Sequence, residues 1–468
     1  MPSYTMTIDG EQVRAVDTFD VVNPATGDTV GAAPRCGRDD LDRAMRSAAA
    51  AQVGWSRDGE FRRKALRDVA RELRESIEEI APVLTAEQGK PLREARHEVS
   101  STARWCEYYA DLEVPREVIQ DDDRAFVEVF RRPLGVVSAI TPWNFPLSLA
   151  AWKIAPALAS GNTMVLKPSP FTPLSTLLMG QVMARVLPPG VLNVVSGGDE
   201  LGPWMTEHPV PRKISFTGSV ATGKRVAAAA AQDLKRVTLE LGGNDPAILL
   251  DDVDVDAIAD RLFWGAFRNS GQVCTAIKRV YVPERRYDEV VDALADRARS
   301  ARLGNGLDEA TELGPVNNRP QLQRVQDLVR DAIARGGKAV AGGNTIDGPG
   351  FFFEPTIIRG IEDGTRLVDE EQFGPALPVI PYRDLDDAIA RANGTPFGLS
   401  ASVWGSDPIA AAEVATQIEC GTSWINTHLA LAPHQPFGGA KWSSIGVENG
   451  RWGLDQFTEL QVLHRARG

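Results

Sequence analysis

The run Asn269-Ser270-Gly271-Gln272-Val273-Cys274 sets one thiol behind small, backbone-exposing residues. Upstream, Glu240-Leu241-Gly242-Gly243 offers a carboxylate that folding can bring opposite it. A thiolate attacks carbonyl carbon well, and a nearby carboxylate can later activate water. A cysteine taken alone is ordinarily a buried apolar residue. The neighbouring segments must therefore decide what Cys274 does.

Several of them carry chemistry of their own. Thr141-Pro142-Trp143-Asn144-Phe145-Pro146 holds an amide and two aromatics between prolines, and a rigid amide N–H can stabilise an oxyanion. Aromatics bracketed by prolines are more commonly core. Thr217-Gly218-Ser219 follows a short apolar run and opens an Ala-rich one, a turn whose bare backbone suits a phosphate. Many such turns are only turns. Lys167-Pro168-Ser169-Pro170 ends a buried strand, where a lysine can donate to sugar hydroxyls or phosphate or simply be solvated. Glu370-Glu371-Gln372-Phe373-Gly374-Pro375 can place a carboxylate on a ribose and a ring against a planar group, or form a plain acidic turn. Pro436-Phe437-Gly438-Gly439-Ala440-Lys441 is most simply a tight turn.

The elements that position these residues follow from periodicity. Helical spacing covers 40–51 and 62–88, with Arg and Glu outward. Residues 125–140 predict strands broken at Pro133-Leu134-Gly135. Strands are then expected at 163–167, 190–195, 213–216, 237–239 and 247–250, alternating with helices at 173–186 and 221–233. That alternation predicts a parallel sheet covered by helices. A second alternating series runs from Asp254 to about Trp424, so a second α/β lobe is expected, with surface loops at 304–319 and 341–350.

Composition narrows the class. A chain of 468 residues exceeds a single ordinary core, and 43% hydrophobic with 24% charged residues is globular usage. A net charge of -12 with no basic run argues against nucleic acid. The cysteines (Cys36, Cys106, Cys274, Cys420) lie far apart without metal spacing, so a reducing cytoplasm and no metal are expected. The most apolar stretch, 147–165, is interrupted by Lys153, Pro156 and Asn162, and no membrane span is expected.

Together these segments, from Val22-Asn23-Pro24-Ala25-Thr26-Gly27 to Gly446, resemble the aldehyde dehydrogenase superfamily in its NAD(P)-dependent, non-acylating branch, and they occur in the family's order. The resemblance implies an α/β fold in three parts. A Rossmann-like cofactor-binding domain would span 1–113 and 134–242, and an α/β catalytic domain 243–440. A small β oligomerisation extension would use 114–133 and 452–468. It implies Cys274 as nucleophile, Glu240 as general base, and Asn144 with the Cys274 N–H as oxyanion hole. Cofactor contacts would come from Trp143, Lys167, Ser169, Gly218, Ser219, Glu371 and Phe373. The expected substrate pocket comprises Phe145, Leu149, Trp152, Arg268, Val273, Thr275, His428, Leu431 and Phe437. The implied reaction oxidises a small aldehyde to an acid with NAD or NADP, in a homodimer or homotetramer.

Three departures from the family matter. Many strictly NAD-dependent members carry Glu three residues after the motif lysine, where this chain has Pro170, and the loss of that carboxylate favours NADP. Arg268 resembles the arginine with which succinic semialdehyde dehydrogenases hold the far carboxylate, but Trp152 stands where they bring a second arginine. That favours an apolar tunnel, with the semialdehyde enzyme as the alternative. The turn Trp442-Ser443-Ser444-Ile445-Gly446 replaces the family's usual Ser-Gly. A CoA-acylating enzyme would lack the base at Glu240, a non-catalytic member would lack Cys274 or Glu240, and a thiol hydrolase would need a histidine partner that five scattered histidines do not supply.

Overall fold

The computed structural model describes residues 4–467. Two large sheets lie at its centre. The first has eight strands, and its middle five run parallel: Arg236–Glu240, Lys213–Thr217, Val136–Ile140, Thr163–Lys167 and Leu192–Val194, in that spatial order. Met6–Ile8 and Glu11–Val13 extend one edge antiparallel, and Ser444–Ile445 closes the other against Glu240. Strands buried along their whole length, such as Thr163–Lys167, read as unbroken apolar runs because helices cover both faces.

The second sheet has seven strands. Six of them are parallel, in the order Thr356–Arg359, Ala376–Tyr382, Ile277–Pro283, Asp245–Leu249, Ser400–Trp404 and Thr422–Ile425, and Lys338–Ala341 lies antiparallel at the edge. A three-stranded antiparallel sheet joins Glu117–Asp121, Ala125–Pro133 and Thr458–Ala466. The break expected at Pro133-Leu134-Gly135 is where one chain segment passes from this small sheet into the first large one, with Gly135 at φ 124° making the turn.

Two expectations need correction. The helical run 62–88 is two helices, Gly59–Glu75 and Ile77–Gln88, meeting at Ser76, whose φ/ψ of −99° and 10° leaves the α-helical region. Apolar periodicity continues through the joint, so the sequence pattern alone hides it. Helix Leu92–Asp111 was not anticipated, although it packs against both Gly59–Glu75 and Pro146–Ala159.

The sheets face one another in a particular sense. The first offers the carboxyl ends of its strands: Thr141, Lys167, Gly218 and Glu240 each stand at or just past one. The second offers the amino ends: Cys274 precedes Ile277–Pro283, and Phe373 precedes Ala376–Tyr382. Ligands of open α/β sheets bind beyond strand carboxyl ends, so the cleft between the two lobes is where chemistry is expected.

Candidate active site

A cavity of about 660 Å³ occupies that cleft, lined among others by Trp143, Asn144, Leu149, Gly218, Ser219, Cys274, Glu371 and Phe373. Residues from separate sequence segments thus meet around one space. Lys167, Ser169, Glu240, Phe145, Trp152, Arg268, Val273, Thr275, His428, Leu431 and Phe437 lie outside its immediate lining.

Cys274 sits at the end of a tightly wound loop. Asn269, Ser270 and Gly271 all have left-handed backbone (φ 51°, 54° and 72°). A side chain on Gly271 would put its Cβ 2.3 Å from the Gly374 carbonyl oxygen, so only glycine fits. Two successive non-glycine residues in this region are costly and persist only where surroundings hold them. The holding bonds are visible. Ser270 Oγ donates to the Gly314 carbonyl at 2.7 Å, Gln272 Nε2 to Asn269 O at 2.8 Å, and the Asn317 N–H to Gln272 Oε1 at 2.8 Å. Burial pushes the Cys274 thiol up to about 12, with Lys278 opposing and Glu240, Asp245 and Glu371 adding to the rise. The resting group is therefore a thiol.

Asn144 is fixed through both halves of the residue. Its Nδ2 donates to the Gln272 carbonyl at 3.0 Å, leaving the second amide hydrogen free for the cleft. Its own carbonyl accepts from Lys90 Nζ at 2.9 Å and Asn269 Nδ2 at 3.1 Å. Lys90 pairs with Glu98 out of solvent, and Glu98 Oε1 accepts from the N–H groups of Leu147 and Ser148 at 3.0 and 3.1 Å. A carboxylate at the start of helix Pro146–Ala159 is favoured by the unpaired N–H groups there.

Glu240 ends strand Arg236–Glu240, and neither carboxyl oxygen has a hydrogen-bond partner in the fold. Burial raises its proton affinity well above the carboxylate range, the Glu448 charge raises it further, and Lys153 lowers it. Lys153 and Glu448 form a buried ion pair, and Lys153 Nζ also donates to Thr217 Oγ1 at 2.8 Å. Neither residue was anticipated. The available signal was Lys153 itself, an ammonium inside an otherwise apolar helical run, whose partner lies 295 residues away.

The unusual Ser444 turn is well built. Ser444 lies opposite Glu240 in the antiparallel strand pair, its φ/ψ of −159° and 164° is ordinary extended backbone, and no glycine is needed. Its Oγ accepts from the Gly439 N–H at 2.6 Å and donates to the Gly439 carbonyl at 2.9 Å, closing the loop that leads to Glu448.

On the other side of the cavity, Ser219 caps helix Val220–Ala231, accepting from the Thr222 N–H at 3.3 Å. Val220 and Ala221 line the space. Added side chains at Gly218 and Gly242 would put their Cβ atoms 2.6 Å from the Phe216 ring and 2.2 Å from Glu371 Oε2, so the walls there are bare backbone. Glu371 Oε1 accepts from the Gly243 N–H at 3.0 Å. Phe373 meets Trp143 edge to face at 5.3 Å. Gln321 and Arg324, one turn apart on helix Arg319–Ala334, secure this segment by donating to the carbonyls of Gln372, Phe373 and Glu371. They were not anticipated, although their i, i+3 spacing puts them on one helix face.

A model of the aldehyde dehydrogenase family matches residues 12–463. The chain belongs to that family. It is similar to glutarate-semialdehyde dehydrogenase of Pseudomonas aeruginosa, with 38% identity covering 97% of this chain and 96% of that one. The NAD+ complex of an aldehyde dehydrogenase from Bacillus cereus superposes with a TM-score of 0.97 at 35% identity, covering 99% of this chain and 97% of the other. Betaine aldehyde dehydrogenase of Staphylococcus aureus, also in complex with NAD+, gives 0.96 at 34%, covering 100% and 98%. This aldehyde dehydrogenase therefore has the family's α/β fold and its NAD(P)-dependent chemistry. Its cleft fits a dinucleotide, because bare-backbone walls and a capped helix start lie on the same side as Glu371 and Phe373.

Of the expected substrate residues, Leu149 lines the cavity, and Trp152 and Phe437 pack together in the interior. Trp152 stacks on Trp105 at 5.7 Å and meets Phe437 edge to face at 5.0 Å. His428 Nε2 donates to the Thr275 carbonyl at 2.6 Å, and burial drives its imidazole down to about 3, so it is neutral. Arg268 Nε lies 3.8 Å from Glu94.

Proposed function

We propose that Cys274 is the nucleophile and Glu240 the general base of an aldehyde oxidation that ends in hydrolysis. The observation that carries this is the pair of residues itself: a thiol in the cleft, and behind it a carboxyl group with both oxygens unclaimed. Cys274 Sγ bonds to the carbonyl carbon as its proton passes to solvent water, and the resulting oxyanion accepts from the free Asn144 amide hydrogen and the Cys274 N–H. The chemistry NAD(P) supplies when bound is hydride acceptance, which turns the Cys274 adduct into a thioester. Glu240 then takes a proton from water as the oxygen adds to the acyl carbon. The C–S bond breaks, the acid leaves, and the proton held by Glu240 passes to the sulfur, which restores the thiol. A raised proton affinity suits Glu240 to this step, since a base works best when its pKa approaches the working pH.

For cofactor contacts, we assign Lys167, Ser169 and Pro170 to the adenosine ribose, Gly218 and Ser219 to the pyrophosphate, and Trp143, Glu371 and Phe373 to the nicotinamide half. Burial brings Lys167 down to about 8 against the pull of Asp199 and Glu200, and among the described residues its Nζ is bonded only to the Pro168 carbonyl at 3.3 Å. An ammonium so placed gains from a 2′-phosphate. NADP is expected to support a kcat/KM within about tenfold of that with NAD, or above it, a decade being ~1.4 kcal/mol. Pro170→Glu should shift the ratio toward NAD. Steady-state kinetics with both cofactors check this, and a hundredfold or greater preference for NAD in the native chain contradicts it (about 2.7 kcal/mol).

For the substrate, the apolar Leu149 lining, the interior Trp152–Phe437 pair and the Arg268–Glu94 approach favour aliphatic and aromatic aldehydes over ones ending in a carboxylate. The similarity to glutarate-semialdehyde dehydrogenase of Pseudomonas aeruginosa points the other way. An aldehyde panel that includes succinate and glutarate semialdehydes separates the two readings. Higher kcat/KM for apolar aldehydes is expected, and clear preference for either semialdehyde overturns the apolar tunnel. CoA should be unnecessary, because Glu240 supplies water activation.

The domain division proposed above groups the first sheet with cofactor binding and the second with catalysis. The three-stranded sheet leaves Val118, Ile119, Leu460 and Val462 exposed, which supports its use in a homodimer or homotetramer. All four cysteines are free, in keeping with a cytoplasmic setting. Among the described residues no helix is long and apolar enough to cross a membrane.

A further inference from the structure

Lys278 lies directly beneath the nucleophile loop, near the start of strand Ile277–Pro283, with its side chain 1% exposed. Its ammonium donates to two successive carbonyls, Val273 at 3.0 Å and Cys274 at 2.5 Å. Its third neighbour is Glu371 Oε1 at 3.5 Å, the same oxygen that accepts from the Gly243 N–H. Gly243 in turn follows the Glu240-Leu241-Gly242 segment. One buried cation therefore touches the nucleophile's own peptide unit and the carboxylate we assign to the nicotinamide ribose.

We propose that Lys278 is a positioning residue for the nucleophile: it fixes the Cys274 carbonyl and supplies the positive charge that favours the thiolate, a charge for which Glu371 competes. The inference rests on the proposed role of Cys274. The charged groups acting on the thiol come from every side: Lys278 from its own strand, Glu240 and Asp245 from the two neighbouring strand ends, and Glu371 from the segment across the cleft. Three of the four are carboxyl groups, so Lys278 is the cation among them. Holding the Val273 carbonyl also sets the direction of the Val273–Cys274 peptide, and with it the Cys274 N–H offered to the oxyanion. A lysine that merely plugged two carbonyls would lack the competing carboxylate.

The competition gives the inference a sign that a packing role does not have. The test is the pH dependence of Cys274 alkylation by iodoacetamide, without aldehyde or cofactor, in the native enzyme, Lys278→Met, Lys278→Arg and Glu371→Gln. Cys274→Ser identifies the label. Lys278→Met should require higher pH, slowing alkylation at fixed pH by about tenfold for each unit of displacement. Lys278→Arg should return most of the rate. Glu371→Gln should act in the opposite direction, speeding alkylation, because it removes a negative charge and leaves that of Lys278 unshared.

An unchanged profile in Lys278→Met, or slower alkylation in Glu371→Gln, overturns the inference while leaving the nucleophile assignment standing. If Lys278→Met fails to fold, the sign of the Glu371→Gln effect decides the matter alone. Undiminished aldehyde oxidation after stoichiometric labelling of Cys274 would instead overturn both.

Discussion

Cys274→Ser is expected to lower aldehyde oxidation by roughly four to six orders of magnitude, the scale seen when a covalent nucleophile is lost. Dissociation constants for NAD and NADP should stay within about threefold of the native values, a difference under ~1 kcal/mol. The reason is chemical. The hydroxyl has nearly the shape of the thiol, so the wound loop at 269–271 and its bonds to Gly314 and Asn317 keep their geometry. The oxygen, however, is a far weaker nucleophile in a place where burial already holds even the thiol up to about 12. The same burial gives a pH signature in the native enzyme: kcat/KM should climb as pH rises from neutral into the alkaline range, because deprotonated Cys274 is the reacting form. Initial rates across pH, with cofactor titrations by fluorescence quenching, check both parts. Activity in Cys274→Ser within tenfold of native would remove the nucleophile assignment.

Glu240→Gln is expected to separate the two halves of the reaction. The amide is almost isosteric with the neutral acid that burial favours, and the two carboxyl oxygens have no partners to lose, so the fold should be little disturbed. Aldehyde addition and oxidation should proceed once, giving a burst of reduced cofactor close to one equivalent per active site. Later turnover should slow by about 10²–10⁴-fold, the usual contribution of a positioned general base. Removing the carboxyl group cannot improve hydrolysis, because water would then reach the thioester without a proton acceptor. Stopped-flow absorbance at the reduced-cofactor band measures burst and steady rate together. A variant that turns over at the full rate would show that Glu240 has another task.

Much of this site was legible in the sequence because its residues stand at strand ends. Lys167 ends a short, fully buried strand, Gly218 follows another, and Glu240 ends a strand buried over its last three residues; buried parallel strands announce themselves as apolar runs between turns. The loop residues Asn144, Cys274, Glu371 and Phe373 were legible through motif resemblance, and the fold brings them to one cavity. What stayed hidden was pairing over distance. Lys153 meets Glu448 and Lys90 meets Glu98 in the interior, and nothing in local spacing says which carboxylate a buried ammonium will find. Lys278 was hidden for the same reason: next to Arg279 in a seven-residue buried strand, it looks like any strand-end lysine until its carbonyl partners are seen. The joint at Ser76 was missed because both flanking helices carry the same apolar period. Ser444 shows the reverse case, where a departure from the family pattern left the turn intact because its hydroxyl bonds both polar groups of Gly439.

The central claim is that Cys274 and Glu240 serve successive steps on one acyl group. Acid-quenched Glu240→Gln, mixed with aldehyde and NAD(P) and examined by intact-mass and peptide mass spectrometry, addresses it directly. One acyl group per chain is expected, carried by the peptide containing Cys274 and absent when Cys274→Ser is added. A burst of reduced cofactor with no acyl group on that peptide, or with the acyl group on another residue, would contradict it.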